Sequence, residues 1–264
     1  MIQESLNIPI SLCIYAKKYK CINQLQLFCW LKLNCNHRFS CNNQLKFSAM
    51  KELKINKQTF DRRLSWLIKK KWIGVNSVKM IYHLNSFRII HNKTNLPIRK
   101  SAIWQTEMSF PEFRAFIYGS IICYFVKRKY FTDNYDIEIR DKDFNRVRMK
   151  KKRPMINSDL NYFNLPLEYL SKQLNLPKST IQGMIALAQK HSFIEVQEKF
   201  QEANISVKDL NQLRKIDKND SNLRKLVYKD GKVSEQLPNS ITPLIRLTKS
   251  SNLKQKKLEN KYRM

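Results

Sequence analysis

The sequence predicts a mainly helical α+β protein with small β-hairpins, built from one supersecondary unit used twice. Three observations carry this. The segment 55–75, INKQTFDRRLSWLIKKKWIGV, aligns without a gap on 176–196, LPKSTIQGMIALAQKHSFIEV, position 55 falling on 176 at an offset of 121 residues. In the first copy, apolar residues at helical spacing give way to an alternating pattern suited to a hairpin. The chain of 264 residues carries 50 Lys+Arg against 21 Asp+Glu, a formal net charge of +29.

Composition bounds the class. A hydrophobic content of 42% and an aromatic content of 11% are too high for a disordered basic tail, which lacks the apolar surface to offset its ordering entropy. The length allows one large domain or two small ones. So large a positive excess calls for a polyanionic partner, nucleic acid or an anionic membrane surface. The longest apolar stretch, AFIYGSIICYFV at 115–126, falls short of the roughly 20 residues a spanning helix needs and reads as a core helix. Near the N-terminus, IPISLCIYA has Glu4 before it and Lys17, Lys18 and Lys20 after it, the reverse of a secretory signal. The expectation is a cytoplasmic protein with no membrane partner.

The elements follow in order. Cysteines stand at 13, 21, 29, 35, 41 and 123; with no CxxC pair, zinc ligation by Cys29, Cys35, His37 and Cys41 is the weaker reading beside that of small buried hydrophobes. The apolar segment 22–34 is a candidate leading helix. A short helix is expected over 47–54 on Ala49, Met50 and Leu53, interrupted at Ile55-Asn56. Asn56 is a good N-cap for the next helix, which turns Phe60, Leu64, Leu67 and Ile68 to the core and Lys57, Gln58, Arg62 and Arg63 outward. That helix ends near Trp72. IGVN and KMIYHLN then alternate as a hairpin turning at 76–79. These elements make a first unit, 1–92.

A linker is expected at 93–109, with Lys93, Pro97, Arg99 and Lys100. The second unit, 110–216, opens with a leading helix over 111–130. An inserted hairpin and basic loop occupy 132–164, where YDIEIRDKDFNRVRMKK alternates and runs into Arg148, Lys150, Lys151, Lys152 and Arg153. That block reads either as a phosphate-binding loop or as a solvated one. The second copy of the repeat has Pro177 in place of the capping Asn56, tolerable at a helix start. A helix over 206–216 carries Val207, Leu210 and Leu213. Residues 217–264 read as a basic, partly disordered tail.

The segments AMKELKINKQTFDRRL and YLSKQLNLPKSTIQGMI resemble the helix-turn-helix motif of the winged helix-turn-helix superfamily: a small residue and Leu, an apolar-polar turn, then a polar opening with Thr. The resemblance covers 47–85 and 166–197. It implies a tandem winged helix-turn-helix protein whose second helix in each unit enters the major groove of double-stranded DNA. Carried over, the base-facing candidates of the first unit are Lys57, Gln58, Thr59, Arg62 and Arg63, with Asn76, Ser77 and Lys79 of the hairpin turn on the backbone or minor groove. Those of the second are Lys178, Ser179, Thr180 and Gln182, with Gly183 and Met184 where the first has Arg62 and Arg63. Charge agrees with this asymmetry: residues 1–95 hold 17 basic and 3 acidic residues, against 14 and 8 in 96–164 and 19 and 10 in 165–264. The second unit therefore reads either as a weaker DNA contact or as a dimerisation or structural module.

The resemblance implies a sequence-specific double-stranded DNA-binding protein, first of all a transcription regulator. The alternatives are a plasmid-type replication initiator, which resembles two linked winged helices, and a structural protein whose winged helices bind other proteins or a second copy of itself. Enzymatic chemistry finds little footing. The one acidic cluster, Asp133, Asp136, Glu138, Asp141 and Asp143, is interleaved with basic residues and lacks a calcium-loop spacing. With 4 Gly and no GxxxxGK[ST] or GxGxxG loop, nothing cradles a nucleotide. His37, His83, His91 and His191 lie in no catalytic frame. No catalytic residue, metal or cofactor is expected.

Overall fold

A computed structural model describes the chain except residues 1–4, 36, 77, 79, 93, 95, 97, 106–111, 136, 141–145, 150–162, 204, 217–225, 230 and 250–264. The protein is mixed α+β with small antiparallel sheets, and divides into two compact units. Unit 1 comprises Met1–Tyr124, Gly183–Phe193 and Leu244–Met264; unit 2 comprises Phe125–Gln182 and Ile194–Pro243.

In unit 1, β1 (Ser5–Pro9) leads into α1 (Ile10–Lys18) and α2 (Ile22–Asn34). Helix α2 is apolar on nearly every side and buries Leu25, Leu27, Phe28, Cys29, Trp30 and Leu31, the mark of a helix packed all round. Around it pack α1, β1, α3 (Asn43–Leu53) and α4 (Lys57–Lys69). The rings of Phe28 and Trp72 meet edge to face at 5.5 Å, as do those of Trp66 and Trp72. β2 (Arg38–Ser40), β3 (Ile73–Asn76) and β4 (Ile81–Leu84) form an antiparallel sheet in the order β2-β4-β3. After α5 (Phe87–Asn92) comes β5 (Lys100–Gln105) and then the start of α6 (Phe113–Tyr135).

Unit 2 holds the remainder of α6, a hairpin of β6 (Ile137–Arg140) and β7 (Arg146–Met149), β8 (Phe163–Asn164), α7 (Leu167–Leu174) and the first turn of α8 (Lys178–Lys190). Next come β9 (Ile194–Glu202), α9 (Val207–Ile216), β10 (Leu226–Lys229) and β11 (Lys232–Pro243). β11 is the spine: it pairs with β8, β9 and β10, and its register shifts between Leu237 and Ser240. Pro238 sits in that interval and has no N–H to give the ladder. Leu210, Leu226 and Val233 make a small core with Ala203 and Ile205.

The repeat extends to the backbone. Lys54 and Asn175, both following a helix, are left-handed at φ 50 and 51, and Lys71 and Ser192 at φ 55 and 56. The backbone hydrogen bonds that close these turns correspond. Ile55 N–H donates to the Met50 carbonyl at 3.0 Å and Leu176 N–H to that of Ser171 at 3.1 Å; Trp72 N–H to Leu67 and Phe193 N–H to Ala188, both at 2.9 Å. The ladders do too: the rung Phe39–Tyr82–Val75 has its counterpart in Phe163–Ile241–Val196. Both copies thus contain helix, strand, helix, helix, strand, strand in that order, with the last strand between the other two; the second copy has β6 and β7 inserted after its first helix and α9 and β10 before its last strand.

Three expectations need correction. The stretch 93–109 is more than a linker, because β5 within it pairs with β1 (Leu6 opposite Trp104) and with β12 (Leu247–Lys249). Its Ala102 and Trp104 are fully buried, so the strand belongs to the core of unit 1. The stretch 217–264 is not simply a tail: it supplies β10, β11 and β12. Nor does the second unit run unbroken over 110–216, since α6 and α8 each contribute to both units.

Candidate nucleic-acid interface

Helix α4 begins where the sequence places it. The Asn56 side chain accepts from the Thr59 N–H at 2.8 Å, satisfying one of the orphan donors of the first turn. Phe60, Leu64 and Leu67 are buried. Opposite them, Gln58, Arg62, Ser65 and Lys69 are exposed at spacings of 4, 3 and 4 residues, which keeps them on one face of a helix. Lys57 is also exposed, while Thr59 is half-buried. Ser65 and Lys69 belong to this stripe although no motif marks them; extending the helical period two turns past Arg62 finds them.

Arg63 is different from its neighbour. It is half-buried, and its Nη1 donates to Gln26 Oε1 on α2 at 3.3 Å. Burial first, and then the charge of Arg62, lower its pKa from the usual guanidinium value. The outward, base-facing position expected for Arg63 is therefore a correction: its guanidinium is engaged beside the core. Two acids of the unit are occupied in the same neighbourhood. Lys46 Nζ lies 3.0 Å from Asp61 Oδ1, and Trp30 Nε1 donates to Glu52 Oε2 at 2.8 Å. Lys69, Lys70 and Lys71 are exposed at the end of α4, leaving that end strongly positive.

The hairpin β3–β4 follows directly. Its exposed side chains include Val75, Asn76, Val78 and Met80. Lys79 and Ser77 lie outside the described residues, as does the block Lys150, Lys151, Lys152 and Arg153.

Helix α8 presents a different face. Lys178 is tied to Glu168 of α7, Nζ to Oε1 at 2.6 Å. Ser179 and Gln182 are exposed and Thr180 is half-buried. The positions matching the α4 stripe are Ser179, Gly183, Ala186 and Lys190, all exposed; a methyl group added at Gly183 would meet nothing within 4 Å. Met184, at the position of Arg63, is buried. The stripe thus carries one long side chain in α8, where α4 has three.

Other candidate chemistry is sparse. Among the described residues no group of three or more His, Cys, Asp and Glu is placed to hold a metal, and no helix is long and apolar enough to cross a membrane. Cys13, Cys21, Cys29 and Cys123 are buried free thiols. Burial raises the thiol pKa of Cys13 and Cys29 and pushes Cys21 to about 12, so these act as hydrophobes rather than nucleophiles. Ser11 and His91 are hydrogen-bonded through Oγ and Nδ1, but Ser11 is fully buried, and the bond ties α1 to α5.

Comparison with protein-family models, with curated proteins and with solved structures finds no match to this chain.

Proposed function

We propose that this chain is a sequence-specific double-stranded DNA-binding protein made of two winged helix-turn-helix units, acting as a transcription regulator by occupancy rather than by catalysis. The observation that carries the reading is the outward stripe of α4, Gln58, Arg62, Ser65 and Lys69, on a helix that starts from a capped tight turn. Gln can pair bidentately with adenine and Arg with guanine, while Ser and Lys meet either base edges or phosphates. The order of elements and strands in each copy, shared down to individual hydrogen bonds, supports the winged helix assignment. Residues 1–95 contain only three acids; of these Asp61 is paired with Lys46 and Glu52 accepts from Trp30, so little opposes a phosphate backbone.

In this reading the two copies divide the work. Helix α4 reads bases. Helix α8, whose Lys178 is paired with Glu168 and whose outward stripe carries one long side chain, Lys190, supplies position or assembly rather than readout. The test is binding to duplex DNA over a range of salt. With about six phosphates neutralised, the log-log slope is expected to be on the order of −5 or steeper; a flat dependence, or no binding at low salt, refutes the proposal. Permanganate reactivity of the bound duplex separates a regulator, which leaves it closed, from a replication initiator, which opens it.

A further inference from the structure

Helix α3 brings a single carboxylate to an otherwise uncharged cleft. The cleft has a volume of about 390 Å³ and lies between the end of α2, β2 and α3, within the range of roughly 300–1,000 Å³ typical of small-molecule sites. Trp30 and Phe39, both buried, supply its aromatic lining. Gln44, Ser48 and Glu52 line it from α3, and their spacing of four residues sets them on one face of that helix.

The lining determines the sign of what fits. The chain is strongly positive at +29, yet among the described residues no Lys, Arg or His lines this cleft, and Glu52 is its one charged group. The carboxylate is oriented by the fold. Its Oε2 accepts from the Trp30 indole N–H at 2.8 Å, which leaves Oε1 to accept from a ligand. Asn34, also in the lining, donates its Nδ2 to the Trp30 carbonyl at 3.0 Å and so keeps Oδ1 as an acceptor. Acceptors around a negative charge call for a cation rich in donors. A bare metal ion is a poor match: hard cations take six or more oxygens, and among the described residues no group of three or more His, Cys, Asp and Glu is placed to hold one. An ammonium on a carbon body uses the carboxylate and the aromatic lining together.

The second copy of the repeat lacks this face. At the 121-residue offset, positions 44, 48 and 52 fall on Leu165, Tyr169 and Gln173. Leu165 is buried, and the Tyr169 ring meets that of Phe125 edge to face at 6.4 Å. The polar face with its carboxylate is therefore a property of the first copy and not of the shared fold.

We propose that the cleft between α2, β2 and α3 is a binding site for a small organic amine, its ammonium held by Glu52 and its carbon body set against Trp30 and Phe39. This goes beyond the DNA-binding reading and does not depend on it.

The test titrates the full chain with 2-phenylethylamine, with its neutral counterpart 2-phenylethanol and with the anion 3-phenylpropanoate, and follows the indole N–H resonances of the four tryptophans by 15N-resolved NMR. The amine is expected to saturate one site and to shift the Trp30 indole resonance, because that N–H is bonded to the carboxylate the ammonium meets. Those of Trp66, Trp72 and Trp104 should stay in place. The alcohol and the anion should bind at least about tenfold more weakly, the scale of one hydrogen bond to a charged group. Glu52→Gln keeps an oxygen for the Trp30 N–H and should melt as wild type does, with amine affinity lowered about tenfold to the level of the alcohol. E112Q removes an acid that lies beside His191 and outside the cleft, and should bind the amine as wild type does. Four results overturn the site: amine bound no better than alcohol, a Trp30 resonance unmoved at the highest amine concentration, E52Q binding as wild type does, or E112Q losing as much affinity as E52Q. The Trp30 resonance needs no variant, so it decides the matter even where E52Q does not fold. No DNA is present in these titrations, so failure here leaves the function proposed above standing, and failure of that function leaves this site standing.

Discussion

Arg62 and Arg63 are neighbours in the chain and opposites in the fold. Each residue turns a helix by about 100°, so with Phe60, Leu64 and Leu67 marking the core, Arg62 falls at the far pole and Arg63 beside the apolar stripe. The distinction was present in the sequence, since Met184 occupies the same position in the second copy and an apolar residue there flags a core-flanking site. Counting positive charges hid it. Arg62→Ala should leave stability within about 0.5 kcal/mol of wild type and weaken duplex binding by roughly 1–3 kcal/mol with relaxed specificity. Arg63→Ala loses the bond to Gln26 and the packing of its stem, and should lower stability by roughly 1 kcal/mol. Urea denaturation and fluorescence anisotropy, run on both variants, check the split. An Arg62→Ala protein that binds normally, beside a folded Arg63→Ala protein that does not, would reverse the roles.

Among the elements, the helices of the repeat were the legible part. Their caps, stripes and turns are local, and an ungapped match at 121 residues let each copy vouch for the other. The sheet of β1, β5 and β12 was not legible, because three short strands pair across most of the chain and nothing near residues 100–105 names their partners. β10 and β11 were hidden for another reason: their alternation is polar, and a one-sided amphipathic strand such as Lys232–Pro243 resembles a basic tail until its Val233 and Ile241 are found buried. The cap of α4 is where local chemistry matters most to the proposed function. Asn56→Ala removes the acceptor for the Thr59 N–H and should cost about 1 kcal/mol. It also frays the turn that carries Lys57 and Gln58, so affinity should fall more than the loss of stability explains. Unchanged denaturation and unchanged affinity would show that the turn is held by tertiary packing alone.

At the scale of the whole molecule, the +29 is unevenly invested, with 17 of the 50 basic residues but only 3 of the 21 acids in the first 95 positions. A chain that used both helices alike would not be expected to keep one outward stripe of Gln, Arg, Ser and Lys and the other of Ser, Gly, Ala and Lys. Because the two helix-turn-helix backbones share the same turns, the difference is exchangeable. The triple change S179Q, G183R and A186S writes the α4 stripe onto α8, where Lys190 already matches Lys69. A Cβ added at Gly183 would meet nothing within 4 Å outside its own helix backbone, and replacing a mid-helix glycine with arginine favours the helix by roughly 0.5–1 kcal/mol, so the variant should fold with equal or greater stability. If α8 lies against DNA in the bound chain, the added arginine steepens the log-log salt slope by about one and the nuclease footprint gains protected bases. If the slope and footprint stay as they were while the protein melts higher, α8 faces away from the duplex, and the second copy serves assembly with another chain instead.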